Sequence, residues 1–124
     1  MFNSGKRTST PINGEKIDTL VGKNTSLEGT VNAEGTIRID GRINGGLNIS
    51  GNVIVGEESI IKGNIKADNA FVAGTVEGNV TATSQLHITH TAKLYGDITV
   101  RNIVIDEGAV FVGNCKIITE DNIN

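Results

Sequence analysis

The sequence predicts an all-β chain wound into a three-sided parallel solenoid of about six coils, and three observations predict it. Sixteen glycines stand against one proline and four aromatics among 124 residues. Ile, Val, Thr and Asn dominate with them, a composition of strands and turns, and no window spaces its apolar residues as a helix does. A loose pentad centred on glycine recurs as LEGTV, INGGL, IKGNI, VEGNV, LYGDI and FVGNC. Its glycines, Gly29, Gly45, Gly63, Gly78, Gly96 and Gly113, are separated by 16, 18, 15, 18 and 17 residues. Two further registers keep that period: Val21, Ile39, Val55, Val72, Ile88, Ile105, and Ala33, Ile49, Ala67, Ala82, Val100, Ile117.

Each coil reads as three short strands. In the first, Val21, Leu27 and Ala33 mark the inward residues at six-residue spacing, and Ile39 opens the second coil. The step shortens to four between Ile39 and Ile43 and between Val72 and Val76. A loss of two keeps every side chain on its face, because strand side chains alternate with period 2. The five-residue steps, Ala67 to Val72 and Val100 to Ile105, must be absorbed in a corner. Second inward columns thicken two walls: Val31, Leu47, Ile65, Val80, Ile98, Cys115, and Ile37, Val53, Ala70, Leu86, Ile103. On the remaining wall the small residues Thr25, Gly41, Ser59, Gly74, Ala92 and Ala109 suggest a tight edge. The pentad glycines fall between the second and third strands, where a bend needs positive φ or room without a Cβ. Six coils stacked at about 4.8 Å make a rod roughly 29 Å long. The predicted organisation is a disordered tail over residues 1–16, a solenoid over 17–118 and a short tail over 119–124.

Composition also excludes function classes. A net charge of −3 argues against a nucleic-acid binder built on a basic field. No apolar run approaches a membrane span, and the first residues lack a signal peptide's apolar stretch. The lone Cys115 excludes a disulfide framework and fits a reducing cytoplasm. No phosphate-binding glycine motif is present, so no nucleotide or other cofactor is expected. His87 and His90 are the only histidines; their spacing puts them on different strand faces, and no metal site is expected. The acidic residues sit mostly at corners and form no carboxylate pair suited to acid–base work.

The interest therefore lies at the ends and on one face. A solenoid exposes open strand edges and core at its first and last coils unless something caps them. Val21, Leu27 and Ala33 at one end and Ile105, Phe111 and Ile117 at the other have no obvious cap, which makes them the candidate polymerisation interface. Stacking that does not close into a ring gives an open filament. On the outer face of the first wall, Leu20, Ile54, Phe71 and Val104 form a candidate lateral, partner or tail-binding strip, with Arg38 and His87 in the remaining coils. Met1 and Phe2 form a small apolar tip near Lys6 and Arg7. One such signal binds membrane weakly, but a filament multiplies it.

The segments TLVGKNTSLEGTVNAEGTIRIDGRINGGL (19–47) and the coils that follow to about 118 resemble a bactofilin. The resemblance implies a right-handed β-helix and a bacterial cytoskeletal protein that polymerises without nucleotide into non-polar filaments. It implies a partner in the inner-membrane lipid at the cytoplasmic face, through Met1, Phe2, Lys6 and Arg7. It further implies scaffolding for cell shape, cell-wall or chromosome-organising proteins, and a polymer contact at an aromatic of the last coil, here Phe111. The expected function is a non-enzymatic scaffold. The alternatives are an enzyme built like the hexapeptide-repeat acyltransferases, which this chain matches poorly for want of an inserted loop, and a monomeric interaction module using the Leu20–Val104 strip.

Overall fold

The computed structural model describes residues 17–118; the two predicted tails lie outside the described residues. The chain there is a stack of parallel strands with no helix. In order they are β1 (Thr19–Val21), β2 (Ser26–Glu28), β3 (Val31–Ile39), β4 (Arg42–Asn44), β5 (Leu47–Val55), β6 (Ile60–Lys62) and β7 (Ile65–Val72). They continue as β8 (Thr75–Glu77), β9 (Val80–Ile88), β10 (Lys93–Tyr95), β11 (Ile98–Ile105), β12 (Val110–Val112) and β13 (Cys115–Ile117). The odd-numbered strands form a seven-stranded sheet in sequence order, and the even-numbered ones a six-stranded sheet.

The predicted columns are the observed registers. Val21, Ile39, Val55, Val72, Ile88 and Ile105 stack in turn. Leu27, Ile43, Ile61, Val76, Leu94 and Phe111 do the same on the wall of short strands. Ile39, Val55, Val72, Ile88, Ile61, Val76 and Leu94 are all 0% exposed, so the interior is one continuous apolar column. Repetition makes this stable: a three-residue strand is marginal alone, but each inner one pairs with a like strand on either side.

One corner differs from the expectation of three separate strands. The third strand of each coil runs on into the first strand of the next, as the long strands β3, β5, β7, β9 and β11. The bend stays within the ladder because side chains bond from coil to coil across it. Asn52 Nδ2 donates to Thr36 Oγ1 at 3.2 Å, and Asn69 Nδ2 donates to Asn52 Oδ1 at 2.9 Å. The five-residue steps fall at this corner as register shifts, opposite Asn48–Asn52 and between Val100 and Asn102.

The other two corners break the ladder. At the pentad glycines the backbone takes a positive φ, 152° at Gly63 and 151° at Gly78. A Cβ on Gly63 would land on the carbonyl oxygen of Gly45, and one on Gly78 on that of Gly63. The column is glycine because each corner rests on the backbone of the corner beneath it. At the remaining corner the two short steps carry Gly41 and Gly74. An added Cβ there would meet the carbonyls of Thr25 and Gly22, or of Gly56 and Ser59, in the wider turn below. The tight edge is thus a shorter turn laid onto a longer one.

Candidate assembly site at the open ends

Backbone hydrogen bonds alternate in direction along the stack. Gly45 N–H donates forward to the Lys62 carbonyl at 2.9 Å, while Ile60 N–H donates backward to the Gly41 carbonyl at 3.2 Å. A terminal coil therefore leaves both donors and acceptors facing outward. In the first coil β1, β2 and the 31–33 arm of β3 are paired on one side only. In the last coil the same holds, among the described strands, for the 103–105 arm of β11 and for β12, while β13 pairs with β11. Among the described residues no helix or loop covers either end.

Burial follows the same division. Ile105 is 49% and Ile117 41% exposed, whereas Ile88 and Val100, one coil inside them, are at 0%. Phe111 and Leu27 are half-buried, packed against the core from one side, as are Val31 and Ala33; Val21 is 7% exposed. All six residues expected at the interface thus stand in the two terminal coils, three at each end. Cys115 joins them, a free thiol exposed on β13.

The last coil carries more apolar surface than the sequence analysis assigned to it. Val110 and Val112 flank Phe111 and point outward, with 37% and 57% exposure, beside Tyr95 at 40%. Their signal was legible in the outward column Glu28, Asn44, Lys62, Glu77, Tyr95, Val112, which turns apolar only in its last two members. A polar ladder also runs to this end. Asn64 Oδ1 accepts from Asn79 N–H at 3.0 Å, Asn79 Oδ1 from Asp97 N–H at 3.0 Å, and Asp97 Oδ1 from Asn114 N–H at 3.2 Å.

The outer strip is interrupted at Arg38 and His87, the residues that the sequence places in the two remaining coils. Its ladder order is Leu20, Arg38, Ile54, Phe71, His87, Val104. Leu20 and Val104 are exposed at 61% and 40%, but Ile54, an outward residue, is only 6% exposed. Ile54 lies in a trough between Arg38, which turns to Asp40 at 3.0 Å, and Phe71. His87 stands edge-on to Phe71 at 5.0 Å, with Nε2 3.1 Å from both carboxylate oxygens of Asp106. Among the described residues no hydroxyl or thiol is hydrogen-bonded to that ring. Nor do the described residues gather three His, Cys, Asp or Glu side chains suited to a metal ion. Met1, Phe2, Lys6 and Arg7 lie outside the described residues.

A uniform solenoid whose terminal coils carry no cap among the described residues is an assembling module, a protein whose natural partner is another stack of the same cross-section. The comparisons agree. Residues 19–116 match the family described as Bactofilin, polymer-forming cytoskeletal, and the chain belongs to the bactofilin family. It is 32% identical over 96 residues to bactofilin BacP of Myxococcus xanthus, a match covering 77% of this chain and 40% of BacP. Among solved structures it is similar to the Thermus thermophilus bactofilin seen by cryo-EM in double helical filaments. That match has a TM-score of 0.73 at 30% identity and covers 78% of this chain and 96% of the other. The solid-state NMR structure of the cytoskeletal bactofilin BacA also matches at 0.73 and 30%, over 82% of this chain and 96% of that one.

Proposed function

We propose that this chain is a non-catalytic scaffold that polymerises through its terminal coils into nucleotide-independent filaments on the cytoplasmic face of the inner membrane. The observation that carries the reading is the contrast between inner and outer coils. At the last coil equivalent residues go from fully buried to about half exposed, from Ile88 and Val100 at 0% to Ile105 at 49% and Ile117 at 41%. The 19–33 edge of the first coil and the 103–112 edge of the last, each paired with one described neighbour, offer a second solenoid hydrogen bonds as well as apolar contact, and sheet edges of this kind template pairing. No bound nucleotide enters this assembly: the stacking energy resides in the coil faces. The tip formed by Met1 and Phe2 with Lys6 and Arg7 supplies the lipid contact, made effective by multiplication along a filament. A membrane-bound polymer of this kind supports cell shape, cell-wall synthesis or the positioning of chromosome-organising proteins.

Negative-stain microscopy of purified protein in nucleotide-free buffer tests the assembly. Filaments are expected; compact trimers would point to the acyltransferase-like alternative, and isolated short rods to a monomeric module. Cys115 offers a second reading without mutation. Its thiol reacts freely in monomer and is shielded in a filament joined through the last coil. Equal labelling in both states would remove that coil from the junction.

A further inference from the structure

Given the stacking of terminal coils proposed above, on which this rests, we infer that Asn114 fixes the rotational setting of one solenoid on the next. Its side-chain oxygen accepts an N–H from the terminal coil of a second copy. Apolar contact alone leaves the setting open, because the three walls of the last coil end in similar residues, Ile105, Phe111 and Ile117. The glycine corner between β12 and β13 decides it. There Asn64, Asn79 and Asp97 each accept, through a side-chain oxygen, the backbone N–H of the equivalent residue one coil on, at 3.0, 3.0 and 3.2 Å. The ladder ends at Asn114. Its Nδ2 donates to Asp97 Oδ1 at 3.4 Å, which turns Oδ1 away from the coil below, and no described residue donates to that oxygen.

The same corner limits what can sit above it. A Cβ on Gly96 would meet the carbonyl oxygen of Gly78 and lie 3.3 Å from Asn79 Oδ1, and one on Gly113 would meet the carbonyl of Gly96. The carbonyl of Gly113 is the last of that column, so by the same geometry only a residue without a Cβ fits over it. A second copy supplies one from either end, because Gly29 and Gly113 hold this corner in the first and last coils, with φ of 113° and 148°. A coil turned by one wall keeps its apolar contacts and gives up the bond to Asn114. In the first coil a comparable acceptor is used within the chain. Thr36 N–H donates to Asp18 Oδ2 at 2.9 Å, beside Gly35, where a Cβ would overlap the carboxylate. Asp18 thereby closes the ladder at its own corner, whereas Asn114 leaves an acceptor for another chain.

The test images filaments of the full chain and of Asn114→Ala by electron microscopy and measures each critical concentration by sedimentation. Unmodified filaments are expected to give one sharp set of layer lines. In Asn114→Ala the loss of one hydrogen bond raises the critical concentration roughly two- to tenfold, and the layer lines smear as stacks join in more than one rotation. The urea midpoint of the unassembled protein is expected to stay unchanged; a fall that accounts for the weaker assembly would make Asn114 a residue of the fold and overturn the inference. Asn114→Gly, the residue that Gly46 supplies in this column, replaces the alanine variant if circular dichroism shows the last coil loosened. Layer lines as sharp as those of the unmodified chain would overturn the inference while leaving stacking intact. Smearing on deletion of residues 119–124, with Asn114 in place, would assign the setting to those residues and overturn it as well. No filaments from the unmodified chain would overturn the stacking itself, and the role of Asn114 with it.

Discussion

Phe111→Arg is the substitution that most directly separates assembly from folding. Phe111 stacks on Leu94, which is 0% exposed, and its other side faces off the end of the rod. With Ile105 at 49% and Ile117 at 41% exposure and Phe111 half-buried, a stacked copy would bury nearly half of each isoleucine and the smaller exposed part of the phenylalanine. At about 1.5–3 kcal/mol for a complete burial, that is roughly 1 kcal/mol for each isoleucine and less for Phe111, or about 2–3 kcal/mol for this face. Edge hydrogen bonds add roughly 0.5–1.5 kcal/mol each. The arginine removes the aromatic share and places a guanidinium between two apolar columns, where an unpaired charge costs several kcal/mol. A net loss of about 3 kcal/mol or more raises the critical concentration roughly 100-fold. In the monomer the guanidinium reaches water, so only part of the packing on Leu94 is lost, roughly 1–2 kcal/mol. Sedimentation across a dilution series, with circular dichroism on the supernatant, reads both quantities. Filaments that persist in a folded Phe111→Arg protein, with a shift below about tenfold (some 1.4 kcal/mol), would refute the account of the junction. Phe111→Leu is the control and should still polymerise.

Gly63→Ala should destabilise the solenoid by about 2 kcal/mol or more in urea denaturation, since it combines strained φ with a collision against the Gly45 carbonyl. Gly29→Ala shares the positive φ, 113°, but nothing lies within 4 Å of its new methyl. It should cost only about 1 kcal/mol, and equal losses at the two sites would remove the steric part of the explanation. Leu94→Ala, in the middle of the core, should cost about 3 kcal/mol and lower the thermal midpoint accordingly. Deleting residues 1–7 should reduce co-sedimentation with anionic liposomes while filaments survive in the microscope; unchanged liposome binding would rule out that segment as the anchor.

The period of about 17 residues was legible because a parallel stack pairs each residue with its equivalent one coil on. A regularity along the chain therefore becomes a register in space. That is why Val21 through Ile105, Leu27 through Phe111, and the glycine corner could be written down before any coordinates. Gly41 and Gly74 were visible as members of a small-residue column. Their reason, a short turn resting on the carbonyls of a longer one, needs the two turns in contact.

What the sequence determined by itself is the coil count, the inward columns and the places where repetition ends. Only the tertiary structure decided what those places present. The sequence marks Ile54 as an outward residue, yet Arg38 and Phe71 come from coils 16 and 17 residues away to enclose it. It shows Asp18 as one more acidic residue, yet its carboxylate closes the ladder across from Gly35. Outward apolar residues such as Val110 and Val112 gain meaning only beside Tyr95 and the unpaired edge of β12. Periodicity specifies which strands are neighbours, because pairing is local and repeated. Exposure depends on how side chains from several coils lean over one another, which no single period encodes.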